Sequence, residues 1–451
     1  MVLSLLLDLF YALLLLAAAP WILYRLIRQG RYRTGWRERL GGAPIRHSSQ
    51  PCLWLHAVSV GEVNAAVALI AQLEAALPHF EIVISSTTDT GLARARQLYG
   101  RTHRVFYFPL DFSWAVRRAF DRLRPQLCVL LELEVWHNFT ALARRRGVPV
   151  VVVNGRISTA KGFPRYRRFA PLVRPMFRRL ALVLAQDETY AQRFRLLGVP
   201  PDRIQVPGSL KYDTAELADQ IAGSDELARQ LALAPPDCLW VAGSTGPGEE
   251  DVLLTAWHTL RTRPGLETLR LALVPRKPER FDEVARLIES RGHRLVRYST
   301  LKAAPAGLSD ADHQAVILGD TLGDLRKFYS LARLVFVGRS LVPLGGSDMI
   351  EAAALAKPVL VGPHTQNFAE TVQALLAGGG IEVVSNARQL LDRTEYLLRN
   401  PAAARQLGQN ARLVIAQRQG ATARCVQAIT RLLGYQPPLG PHAIATPALL
   451  T

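Results

Sequence analysis

Short apolar runs alternate with longer stretches of helical period along most of the chain. A first set falls at 52–58, 82–86, 105–108, 127–131, 148–153 and 180–185. A second falls at 239–242, 269–274, 294–298, 316–318, 334–337, 359–361 and 381–384. Runs that are apolar throughout, rather than at every other position, predict strands covered on both faces. The helical stretches between them predict βαβ crossovers and hence parallel sheets. The proline-rich stretch 198–236 separates the two sets. The pattern therefore predicts an α/β protein of two doubly wound, Rossmann-like domains, at 50–207 and 236–434. In such sheets ligands sit outside the carboxyl ends of the strands. The proline- and alanine-rich tail after Gly434 is expected to be poorly ordered.

One further apolar run breaks the rhythm. Residues 2–23 read VLSLLLDLFYALLLLAAAPWIL, about the length that crosses a hydrocarbon core as a helix. Asp8 and Pro20 lie toward its ends, and Trp21 and Tyr24 suit an interfacial belt. Six arginines follow between Arg25 and Arg39. A cleaved signal would carry its cations before the apolar run. Residues 1–27 are thus expected to form a membrane anchor, spanning or lying deep in one leaflet, with the remainder cytoplasmic. The net charge of +18 over 451 residues draws the protein toward anionic lipid or an acidic substrate. No zinc-finger or RNA-binding signature accompanies the arginines, so nucleic acid is not an expected partner. Four widely spaced cysteines imply neither a disulfide framework nor a metal site. Two doubly wound domains facing a cleft form the architecture called GT-B.

Candidate chemistry falls after the strands. The run 52–58 leads through Gly61 to Glu62 at a helix start, where free N–H groups favour a charged carboxylate able to take a proton from a sugar hydroxyl. From position alone, a first-turn acid that only stabilises its helix is the favoured reading. After 127–131 come Glu132 and Glu134, two apart and expected on one side of an extended chain. Thr87–Asp89 and Asn154–Ser158 offer polar groups to the same end of the sheet. In the second half, Ser244 and Thr245 open a glycine-rich loop, and Arg276 and Lys277 follow the next strand. Gly345, Gly346 and Ser347 lead into a helix expected near Asp348, with Glu351 in its first turn. A glycine loop feeding a helix start suits phosphate, and a carboxylate one turn in suits ribose hydroxyls. Together these loops predict a nucleotide-sugar site and a glycosyltransferase. No paired-aspartate metal motif is present, so neither metal nor cofactor is expected.

The ordered set HAVSVGE, TTDTG, ELEVW, NGRIS, GSLKYD, GST…GEE, PRKPERFDEV, GDTLGDL and FVGRSLVPLGGSD…PHTQNF resembles the Kdo transferases over nearly the whole chain. Members of that family transfer 3-deoxy-D-manno-oct-2-ulosonic acid (Kdo) from CMP-Kdo to lipid A precursor at the inner membrane. The resemblance implies Glu62 as general base, with Glu132 or Glu134 assisting. It implies Lys211, Ser244, Thr245, Arg276, Gly345, Gly346, Glu351 and Asn367 as donor contacts. Departures lie near the donor phosphate. Lys277 stands where the family has histidine, Ser347-Asp348 replaces its His-Asn, and Gly246-Pro247-Gly248 lacks a histidine. A membrane-associated enzyme using a UDP-sugar, and an inactive lipid-binding homologue, are the alternative readings.

Overall fold

The apolar runs fold into two sheets of seven strands, parallel throughout. The computed structural model describes residues 2–28, 34–158, 162–233, 238–303, 312 and 314–435. The first sheet comprises β1 (Cys52–His56), β2 (Glu81–Ser86), β3 (Arg104–Tyr107), β4 (Leu127–Leu131), β5 (Val150–Gly155), β6 (Leu182–Ala185) and β7 (Ile204–Gln205). Their order in the sheet is 3-2-1-4-5-6-7. The second comprises β8 (Cys238–Thr245), β9 (Leu269–Pro275), β10 (Leu295–Arg297), β11 (Val316–Leu318), β12 (Leu334–Val337), β13 (Val359–Val361) and β14 (Ile381–Val383), in the order 10-11-9-8-12-13-14. Strand order reverses between β1 and β4 in the first sheet and between β8 and β12 in the second. These reversals are the switch points at which loops diverge and leave a crevice.

The expected strands all form. β7 is additional, a two-residue edge strand too short for a periodic signal, within the stretch read as a connection. That stretch also holds the 3₁₀ turn Leu210–Thr214 and the helix Ser224–Gln230. The chain forms two compact units, one running to Thr214 and resuming at Gln419, the other Ala215–Arg418. The expected boundaries were 207, 236 and 434. Residue 236, Lys161 and the tail beyond 435 lie outside the described residues. The carboxyl-terminal helix Ala421–Leu432 belongs to the first unit, where Cys425 and Ile429 are buried with Leu69, Leu73 and Leu131. Asp213 fixes it there by accepting from the N–H groups of Gly420 and Thr422.

The sheet of the first unit is covered on both faces. Trp54, Phe106, Phe108, Phe120 and Phe139 pack on one side, with ring centroids 5.2–5.8 Å from Trp54, and leucines pack on the other. All four cysteines are free, and Cys52, Cys128 and Cys425 are buried.

The amino-terminal run forms the helix Val2–Arg28. No helix among the described residues is long and apolar enough to cross a membrane, so a spanning anchor is not borne out. Asp8, expected to reach a lipid interface, instead turns onto the first unit. It accepts from the N–H (2.8 Å) and hydroxyl of Ser113 and from the Asn138 amide (3.1 Å). Ser113 opens the helix Ser113–Leu123, whose N-cap, Phe112, has no polar side chain. Asp8 supplies the missing cap. Leu9, Phe10, Leu13, Leu16 and Trp21 on the same helix remain at least half exposed.

Candidate functional site

At the first switch point the loops after β1 and β4 emerge side by side, because His56 is paired with Leu130. The β1 loop enters the helix Val60–Ala65, capped by Ser59. Glu62 folds back over that cap. One carboxylate oxygen accepts from the Val58 N–H at 2.8 Å and the other from the Ser59 hydroxyl at 3.0 Å. This is a capping box with the carboxylate reaching one residue further back, so the helix-stabilising reading of Glu62 is correct as far as it goes. Its electrostatics go further. Burial, aided by Glu132 and Glu134, pushes its carboxyl up to about 7 against the hydrogen bonds that favour ionisation. A half-buried acid that exchanges a proton near neutrality is suited to general-base work.

Glu132 and Glu134 reach this cluster by a different route from the one expected. The chain does not stay extended after β4. Glu132 takes a left-handed conformation (φ 55°) while its N–H still pairs with Val153. Glu134 accepts from the Trp136 indole at 2.9 Å, and burial followed by Glu132 raises its carboxyl. Left-handed backbone at a residue with a side chain is strained, and such strain gathers at ligand sites. It recurs at three other strand ends: Asn154 (φ 57°), Ser244 (φ 56°) and Arg339 (φ 59°). Asn154 is buried, and its carbonyl oxygen accepts from the Leu210 N–H while its amide nitrogen has no partner. Asn154 thereby fixes the turn that carries Lys211. Lys211 belongs to the first unit, apart in the chain's division from the other residues expected at the donor.

At the second switch point Gly243 is paired with Val337, so the loops after β8 and β12 adjoin. The N–H groups expected to cradle phosphate there are already engaged. Glu249, fully buried, accepts from Gly246 (2.9 Å), Ser340 (2.8 Å), Leu341 (2.9 Å) and Arg339. Its neighbour Glu250 is equally buried and bound in fork fashion to Arg280 at 2.6 and 3.2 Å. These two acids of the GST…GEE stretch thus knit the site's frame. Sequence reasoning missed them. The adjacent acid pair at a helix start, with an arginine in the PRKPER run able to pair one of them, was the available signal.

The remaining donor candidates gather around this frame. Ser244 accepts from Ser347 through its carbonyl, and Thr245 is buried with its hydroxyl unpartnered. Arg276 and Lys277 are exposed after β9, and Arg276 donates its N–H to Thr245. Gly345 and Gly346 both have positive φ. A Cβ on Gly345 would sit 2.3 Å from the Asn367 amide, so glycine there admits Asn367, whose own N–H donates to the Gly345 carbonyl. The helix expected near Asp348 begins at Ile350 and runs only to Ala354, with Asp348 accepting from the Ile350 N–H. Five residues carry little dipole, so the anion-binding power ascribed to this helix start is small. Burial and Asp348 raise the Glu351 carboxyl, with Arg326 4.0 Å away opposing them.

Parallel seven-stranded sheets with polar loops at each switch point define a protein of two doubly wound α/β domains. A glycosyltransferase structure from Rickettsia africae has this fold, with a TM-score of 0.57 at 12% identity over 86% of this chain and 100% of that one. The sequence profile of the 3-deoxy-D-manno-octulosonic-acid transferase (kdotransferase) family matches residues 34–214. The 3-deoxy-D-manno-octulosonic acid transferase of Haemophilus influenzae is 32% identical over 92% of this chain and 96% of its own length. That of Bordetella pertussis is 34% identical over 94% and 99%. The chain belongs to this family of glycosyltransferases.

Proposed function

We propose that this enzyme transfers Kdo from CMP-Kdo to a lipid A precursor by a single displacement that inverts the anomeric centre. The observation that carries the reading is Glu62, an acid with its carboxyl near pH 7 at the first switch point, flanked by two further acids. Its ionised form takes the proton of a glucosamine hydroxyl. The oxygen attacks the anomeric carbon of Kdo, the bond to the CMP phosphate breaks, and the electron pair leaves with the phosphate. Glu132 and Glu134 assist by orienting sugar hydroxyls and by opposing the early ionisation of Glu62. In the second unit Arg276 and Lys277 meet the leaving phosphate, and the Gly345–Ser347 turn lets the nucleotide approach the backbone. Ser244, Thr245, Glu351 and Asn367 complete the donor contacts, and Lys211 offers a cation from the first unit. Lys277 keeps a positive charge at a position where relatives of the family carry histidine.

The half-exposed apolar residues of the helix Val2–Arg28, with basic residues following it, support a location on the inner membrane. The helix lies in the cytoplasmic leaflet against anionic lipid, and both units stay in the cytoplasm. Incubation with CMP-Kdo and lipid A precursor, followed by mass spectrometry of the lipid, tests the proposal. A lipid gaining one or more Kdo masses is the expected product. An unchanged lipid, or gain of a sugar only from a UDP donor, overturns it.

A further inference from the structure

A pocket half open to solvent lies in the first unit, beside the acid cluster. It is a cavity of about 350 Å³ between the helix Val2–Arg28 and the loop that follows β3. Leu14 and Leu15 of the helix line it together with Leu110, Phe112 and Trp136. Tyr11, Arg39, Thr87 and Asp111 interrupt this apolar lining. Thr87 lines the cavity, and its neighbour Thr88 donates to the carbonyl of Val58, the residue whose N–H holds Glu62. Trp136 donates to Glu134. The cavity and the acid cluster therefore share walls. Arg39 also lines the cavity. It is 94% buried, its terminal nitrogen donates to the Thr87 carbonyl and to Asp89, and its Nε has no partner. That nitrogen is closed off from solvent, and the guanidinium lies over the Tyr107 ring, 4.1 Å from its centroid.

We propose that this cavity receives one acyl chain of the glycolipid acceptor. The assignment rests on the acceptor proposed above and adds where its lipid goes. A largely apolar space that shares walls with the acid cluster fits a hydrocarbon chain attached to the sugar that those acids handle. The shared walls set the chain's sugar end beside the carboxylates, where the attacking hydroxyl is needed. The helix Val2–Arg28 then serves as one side of the acceptor site, held by Asp8, in addition to meeting the membrane.

The full-length enzyme tests this with two acceptors, the lipid A precursor and its deacylated disaccharide. Leu110→Trp and Leu15→Trp fill the cavity without touching the acids. Expelling even two methylenes from an apolar site lowers affinity about tenfold. KM for the acylated acceptor is expected to rise at least that much, while KM for CMP-Kdo and turnover of the deacylated acceptor stay unchanged. Equal loss with both acceptors, or no loss with either, overturns the assignment.

A measurement on the unsubstituted enzyme covers the case in which these variants fail to fold. An acceptor with a diazirine near the acyl carbonyl is expected to label residues 108–112 or 11–15 on illumination. A diazirine phospholipid should not compete with it. Transfer to the lipid with labelling only elsewhere, or a phospholipid that takes the cavity in its place, overturns this inference alone. Absence of transfer to either acceptor overturns the proposed reaction, and this assignment with it.

Discussion

Glu62 carries two jobs whose demands oppose each other. As part of a capping box it is most useful ionised, yet burial beside two acids holds its carboxyl up to about 7 from 4.5. Between these values the folded chain holds a proton that the unfolded chain has lost. The contribution to stability is therefore present below pH 4.5 and falls away as pH rises through 7. Catalysis runs the other way, since a base must be unprotonated. Glu62→Gln is expected to lower kcat by about 10²- to 10⁴-fold, and to remove the acidic limb near pH 7 from the rate profile. The same variant should flatten the decline of melting temperature between pH 5 and 8. An unchanged kcat would take the base role from Glu62. Glu249 behaves differently. Its removal in Glu249→Ala strands four buried N–H groups, so urea unfolding should show a loss of about 3 kcal/mol or more. Glu249→Gln, which keeps an acceptor oxygen, should lose less.

At the scale of elements, several helices and turns depend on acids borrowed from elsewhere in the chain. The helix His137–Arg145 begins at Trp136, which offers no side-chain acceptor. Asp111 takes the N–H groups of Asn138 and Phe139, each at 2.9 Å. Asp8 does the same for Ser113–Leu123, and Asp213 for Ala421–Leu432. Losing an N-cap acceptor costs about 1 kcal/mol. Asp8→Ala should therefore lower global stability by about that amount while greatly speeding proteolysis within residues 2–28. Equal protease resistance in the variant and the wild type would show that the helix is held by apolar packing alone. Such remote caps explain which parts of the chain were legible. Buried parallel strands announce themselves as continuous apolar runs, so thirteen of them could be read directly. A carboxylate that caps a helix a hundred residues away has no local signature. Asp8 consequently looked like a blemish in an anchor, and Glu249 and Glu250 looked like an ordinary acidic helix start. Glu62 was legible because its cap and its acid lie within four residues.

For the whole molecule, the two sheets repeat one plan, and the chemistry divides between them. The first unit holds Glu62, Glu132, Glu134 and the helix Val2–Arg28, and the second holds Arg276, Lys277 and the Gly345–Gly346 turn. If the second unit takes the cytidylate, CMP should raise the melting temperature of the intact enzyme measurably more than UMP at the same concentration. Ligand at a hundred times its dissociation constant adds about 2.7 kcal/mol to stability. Equal shifts with the two nucleotides would favour the UDP-sugar reading.

The return of Ala421–Leu432 to the first unit has a bearing on how the protein is made. The sheet that is synthesised first cannot bury Leu69, Leu73 and Leu131 beneath Cys425 and Ile429 until the last stretch has left the ribosome. The later-made lobe, Ala215–Arg418, has all of its elements synthesised before that helix emerges. Order of translation and order of completion are thus inverted. The earlier lobe must wait with an open apolar flank, a window in which a chaperone or a bilayer has its chance to shield it.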